Sequence, residues 1–175
     1  MSQSLLRLAA GSLLMSVALC ATAGNNKYAA HQNQAAYNSS SDFTLSGVLQ
    51  ETPGPMARCP SNFGGTIAGF GDSNLFGKVG FLSSDCITPN GSGYTFSAGH
   101  FIITTMTGEL VFADYSGQFV PTGVGANFAF SNATFQITGG TGRYAKASGG
   151  GDLTGGEDMS TGRGTIQLKG RILQN

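Results

Sequence analysis

After residue 41 the apolar residues recur at every second position, and turn residues interrupt them about every 8–12 residues. In Asp42–Gln50, Phe43, Leu45 and Leu49 fall on one face, and Thr44, Ser46 and Gln50 on the other. In Thr165–Leu173, Ile166, Leu168 and Ile172 alternate with Gln167, Lys169 and Arg171. A period of two with one apolar face is the pattern of antiparallel strands wetted on one side. No stretch beyond residue 41 carries an amphipathic helix of three turns. The pattern predicts an all-β fold over 42–175, a single antiparallel up-and-down β-barrel of about eight strands. Closure is favoured because it leaves no strand edge exposed.

Between those two strands the spacing predicts others over 66–70, 76–82, 94–105, 109–115, 127–138 and 143–148. Pro53, Pro55 and Pro60 read as a rigid connection around Cys59, because proline fixes its backbone and donates no hydrogen bond. The runs 89–93, 106–108 and 139–142 read as turns, and 116–126 and 149–164 as loops rich in turn residues. The 28 glycines and 12 phenylalanines fit tight turns around an aromatic core.

The first 23 residues have another character. Arg7 precedes an apolar run from Leu8 to about Ala21, and Ala21-Thr22-Ala23 is a small-x-small cleavage pattern. The run is short for a membrane span. It predicts a signal peptide cut after Ala23, with a lipoprotein signal through Cys20 as the second reading. Bulky Leu19 before Cys20 disfavours the latter. Residues 24–41 are rich in Asn, Gln, Ala and Ser, lack Ile, Leu, Val and Phe, and read as a flexible leader. The predicted address is secreted or periplasmic. Two cysteines then remain, Cys59 and Cys86, and an oxidising compartment predicts a disulfide between them.

Nine Lys+Arg balance nine Asp+Glu, which argues against nucleic acid as partner, since phosphate binding needs clustered basic excess. An outer-membrane barrel is disfavoured by the absence of Trp, by the lack of a paired aromatic girdle and by the water-facing outer positions of the last strand. No nucleophile elbow, zincin, P-loop or CxxC motif is present. Two distant His and two Cys lack zinc spacing, so neither metal nor cofactor is expected. GGGDLTGGED (149–158) has a period of six and no array, unlike calcium-binding glycine-aspartate repeats, so Asp152, Glu157 and Asp158 read as solvated loop residues. Asn38, Asn90 and Asn132 begin N-x-Ser/Thr patterns, which matter only in a glycosylating host.

The most specific segment is Phe135–Gly149, FQITGGTGRYAKASG. It resembles the GGTG-[basic]-aromatic-x-x-A-x-G stretch of dirigent proteins and of the related allene oxide cyclase barrels, and a weaker likeness extends over residues 42–173. The resemblance implies an eight-stranded barrel with an apolar interior that shapes a guest. It also implies a small hydrophobic ligand and, as among relatives, a homo-oligomer. The first functional expectation is a non-catalytic binding or scaffold module. The alternatives are a cyclase, isomerase or dirigent-type protein that steers a reactive guest, and an extracellular structural or adhesion protein. Within the motif, Gly139, Gly140 and Gly142 permit a sharp reversal and Tyr144 returns to the core.

Three polar residues are candidates for ligand contact. Strict alternation puts His100 on the face of Phe96, Ala98 and Ile102; were that face inward, His100 could bind or protonate a guest. Asp114 alternates with Leu110 and Phe112 and is the second catalytic candidate. Its bland reading is a strand-end residue bonding a Tyr115-Ser116-Gly117 turn. Arg143, after the glycine turn, would hold an anionic group or stand solvated.

Overall fold

The computed structural model describes residues 39–174. The expected signal peptide, Cys20 and most of the expected leader lie outside them. Eight strands follow in chain order: β1 Ser39–Pro55, β2 Phe63–Ser73, β3 Gly77–Asn90, β4 Gly93–Thr104, β5 Leu110–Pro121, β6 Asn127–Gly140, β7 Ser148–Asp158 and β8 Arg163–Gln174. Each pairs antiparallel with the next, and β1 pairs with β8 from Ser39↔Gln174 to Gln50↔Arg163. The sheet is a closed up-and-down barrel, as the alternation predicts.

The inward rows are those the alternation names. Phe43, Leu45 and Leu49 of β1 are buried, as are Ile166, Leu168 and Ile172 of β8. At the end where β1 starts and β8 finishes, aromatics close the barrel. Phe76 and Tyr144, from the β2–β3 and β6–β7 connections, have ring centres 5.1 Å apart, and Phe76 lies 5.2 Å from Phe43. Farther along, Phe96 packs 4.7 Å from Phe119, and Phe101 4.3 Å from Tyr115. Side chains therefore fill most of the interior. On β8 the inner face is apolar and the outer face carries Lys169 and Arg171. Among the described residues no helix is long and apolar enough to cross a membrane.

The structure corrects several segment boundaries. Ser39–Ser41 belong to β1, not to the leader, because β8 supplies them with partners. Pro53 and Pro55 also lie in β1. Glu51 N–H donates toward the β8 side, to Gly162 O at 2.7 Å. Residues 53 and 55 share that direction but stand beyond the last β8 partner, where a missing N–H costs nothing. The expected loop at 116–126 is mostly β5, so Asp114 is mid-strand and does not cap a turn at 115–117. Gly117 keeps the alternation going by making room for a ring: a Cβ there would stand 2.5 Å from Phe96 Cζ.

The region after the glycine turn is also redrawn. Gly142–Tyr144 forms a short 3-10 turn, and no strand covers 143–147. The supposed loop 149–164 is largely β7. Its glycines let β6 and β8 close in from either side, as a Cβ on Gly151 would stand 2.2 Å from Lys169 O. Gly139 and Gly142 have φ of +142° and +56°, in keeping with the reversal expected of the motif.

The cysteines are joined, with Cα atoms 5.2 Å apart. Cys59 sits in the β1–β2 connection and Cys86 on β3, so the bond ties that connection to the barrel wall. Beside it, Arg58 donates to Ala98 O at 2.9 Å and to Ser84 Oγ at 3.0 Å.

Candidate functional site

Two sequence candidates meet, on the outer wall. His100 on β4 and Asp114 on β5 are register partners, and His100 Nδ1–H donates to Asp114 Oδ1 at 2.6 Å. Their side chains are 59% and 54% exposed. The shared face with Phe96 is corrected by a bulge. The β4–β5 register shifts between Phe96 and Gly99, and Ala98 takes φ +47°. One extra residue reverses the parity. Phe96 points in, while His100 and Ile102 point out. The pair borders an open trough of about 840 Å³ that runs past Gly149, Gly150 and Gly151. Arg143 is at the plugged end. Its side chain is 55% exposed, its Nη2 lies 2.8 Å from Glu109 Oε2 and its guanidinium stands over the Tyr144 ring.

The interior holds chemistry that the sequence reading did not select. Glu51 of β1, Asp85 of β3 and Glu157 of β7 are all buried. With Ser83 and Tyr115 they line a cavity of about 20 Å³, room for roughly one water. Gly65, between β1 and β3, makes this approach possible, because a Cβ there would lie 1.7 Å from Glu51 Oε1. The Tyr115 hydroxyl donates to Asp85 Oδ2 at 3.0 Å and stands 3.2 Å from Ser83 Oγ. Its ring lies on Gly99, where a Cβ would be 2.6 Å from Cε1.

Burial dominates the electrostatics. It lifts the Asp85 carboxyl from 3.8 to about 7, helped by the Glu51 charge and opposed by the Tyr115 hydroxyl, the Gly65 N–H and the more distant Arg58 charge. Burial also raises Glu51 and Glu157. Both line the same cavity, and the charge of Glu157 adds to the effect of burial at Glu51. Burial pushes the Tyr115 phenol well above its usual range, so it stays a donor. Glu51 Oε1 and Asp85 Oδ1 have no hydrogen-bond partner. An orphaned buried polar atom costs about 1–3 kcal/mol.

Glu51 and Glu157 also form the floor of a second space, an apolar cup of about 200 Å³ at the end away from the aromatic plug. Its walls are Pro53, Phe63, Ile87, Tyr94, Phe128 and Met159. Phe63 and Tyr94 remain 43% and 37% exposed, which leaves the cup open.

The signal for these acids was present in the pattern. Glu51 continues the inward series of Phe43, Leu45 and Leu49, and Asp85 that of Val79, Phe81 and Ser83. Both are lost when the strands are ended early, at Gln50 and Leu82. Glu157 was assigned to a solvated loop, yet it is the inward residue of a strand whose many glycines read as loop. No family model, no curated protein and no solved structure matches the chain, so the site stands on its own geometry.

Proposed function

We propose that the protein is a secreted or periplasmic barrel of the allene oxide cyclase and dirigent-like group that holds a small apolar ligand at its open end, without bond chemistry. The observation that carries this reading is the cup: apolar walls, open to solvent, above a barrel whose other end is plugged. About 200 Å³ is below the roughly 300–1,000 Å³ of drug-sized pockets, so the occupant is a single ring or a short chain. The disulfide supports an oxidising compartment. A cyclase working through His100 and Asp114 gains no support, because both side chains stand on the outer wall. Self-association, expected of such barrels, would use the outward pairs Val48–Phe70 and Leu82–Ile102, whose Phe70 and Leu82 are 69% and 60% exposed.

Native mass spectrometry of exported protein tests both parts. A co-purifying guest of small mass is expected, and Met159→Trp, which fills the cup, should lose it while keeping the circular dichroism of the parent. A parent that is always empty and takes up no small hydrophobe on titration would sink the binding reading. The same spectra report the number of copies.

A further inference from the structure

We propose that the occupant of the cup is a small apolar amine, its ammonium group seated on Glu51 and Glu157 and its hydrocarbon part against Phe63, Tyr94, Phe128 and Met159. This rests on the binding reading above and deepens it. The first ground is an unfilled demand. Glu51 is 4% exposed and its Oε1 has no donor, although it lines both the cup and the inner cavity. The second is sign. The residues that line the cup and the inner cavity include three carboxyls and no Lys or Arg. Arg58 bears on Asp85 but spends its donors on Ala98 O and Ser84 Oγ at the wall. An ammonium group brings three donors and a positive charge, whereas an alcohol brings one donor and a carboxylate only repulsion. The third is wall chemistry. The Tyr94 and Phe128 rings, 5.9 Å apart, offer π-faces to a cation at the rim. A metal ion fits less well, because among the described residues no three acidic, His or Cys groups stand together in metal-holding geometry.

Proton balance gives a signature. Burial favours the protonated forms of Glu51 and Glu157 in the free protein, and seating RNH₃⁺ between them favours the ionised forms and so releases a proton to solvent. Binding then gains at most tenfold per pH unit until the pair is ionised. The titratable groups that face the pair are Asp85 from β3, Tyr94 from β4, Tyr115 from β5 and Asp158 beside Glu157 on β7. Burial raises Asp85 to about 7, and its ionisation strengthens the amine site further.

The experiment is calorimetric titration of the full chain with hexylamine, hexan-1-ol and hexanoate at pH 6 and pH 8, in two buffers of different ionisation enthalpy. Hexylamine is expected to bind at least tenfold tighter than hexan-1-ol and hexanoate weakest, with proton release on amine binding. Glu51→Gln and Glu157→Gln should each cost the amine tenfold or more and leave the alcohol within about twofold, with folding checked by circular dichroism. Equal binding of amine and alcohol, or amine binding untouched by both variants, overturns the amine inference and leaves the apolar cup standing. Absence of binding by all three compounds overturns both.

Discussion

Raising the pH from 5 to 9 is expected to weaken the barrel, with a fall in Tm on the order of 10 °C. The cause is the buried acids. A carboxyl whose folded pKa lies above its unfolded value adds no penalty while both states are protonated. As pH rises past the unfolded value, the unfolded chain gives up its proton and the folded chain does not. Stability then declines until the folded carboxyl ionises too. For Asp85 that window runs from about 4 to about 7, a little over three units, or on the order of 4 kcal/mol as an upper figure. The Glu51–Glu157 pair extends the decline to higher pH. Glu109 and Asp158, both half-buried, act in the opposite sense. Hydrogen bonds from Thr107 and Ser160 hold them low, so their small contribution disappears below about pH 4. The optimum should sit near pH 5. Thermal melts of the parent and of Asp85→Asn across pH 4–9 check this. The variant should melt higher than the parent at pH 8 and show a flatter curve between 4 and 7. A parent Tm that stays level or climbs between pH 5 and 9 would refute the assignment of these carboxyls as buried and proton-holding.

Loss of the Cys59–Cys86 bond is expected to cost about 3.5 kcal/mol, the chain-entropy value for a loop of this length. The loop contains the whole of β2, so the bond restrains a hairpin that forms one wall of the cup. Reduction, or a Cys59→Ser/Cys86→Ser double variant, should lower Tm by on the order of 10 °C. It should also weaken small-ligand binding, because Phe63 begins β2 right after the tethered connection. Arg58 ought to keep its hold on Ala98 O and Ser84 Oγ and so limit the fraying to residues 56–62. Melts and limited proteolysis of the oxidised and reduced forms decide it. Identical melting of the two forms would mean the connection is already fixed without the bond.

The fold was legible where the side chains alternate without interruption. β8 and the first half of β1 show their inward rows directly, and the turns at Gly91 and Gly108 sit where glycine takes positive φ. Two features hid the rest. The bulge around Ala98 is set by cross-strand register, which a single chain does not display, so the parity of His100 inverted. In β7 the glycines are required by crowding from β6 and β8, yet glycine in sequence reads as a turn. The acids were obscured for a third reason. Apolar patterning scores Glu51, Asp85 and Glu157 as outward, and only their position on the inward parity of extended strands reveals otherwise.

Seven of the eight strand pairings join neighbours across a short connection, while the eighth, β1 to β8, brings together residues such as Ser46 and Gln167, 121 positions apart. That seam has to wait for every hairpin before it, and its loop-closure entropy is met last. Folding kinetics should therefore be governed by zipping of the two terminal strands. A circular permutant that links Gln174 to Ser39 and opens the chain at Ser92 turns this seam into a hairpin and moves the long-range closure to β3 and β4, so the pairing that forms last should move there with it.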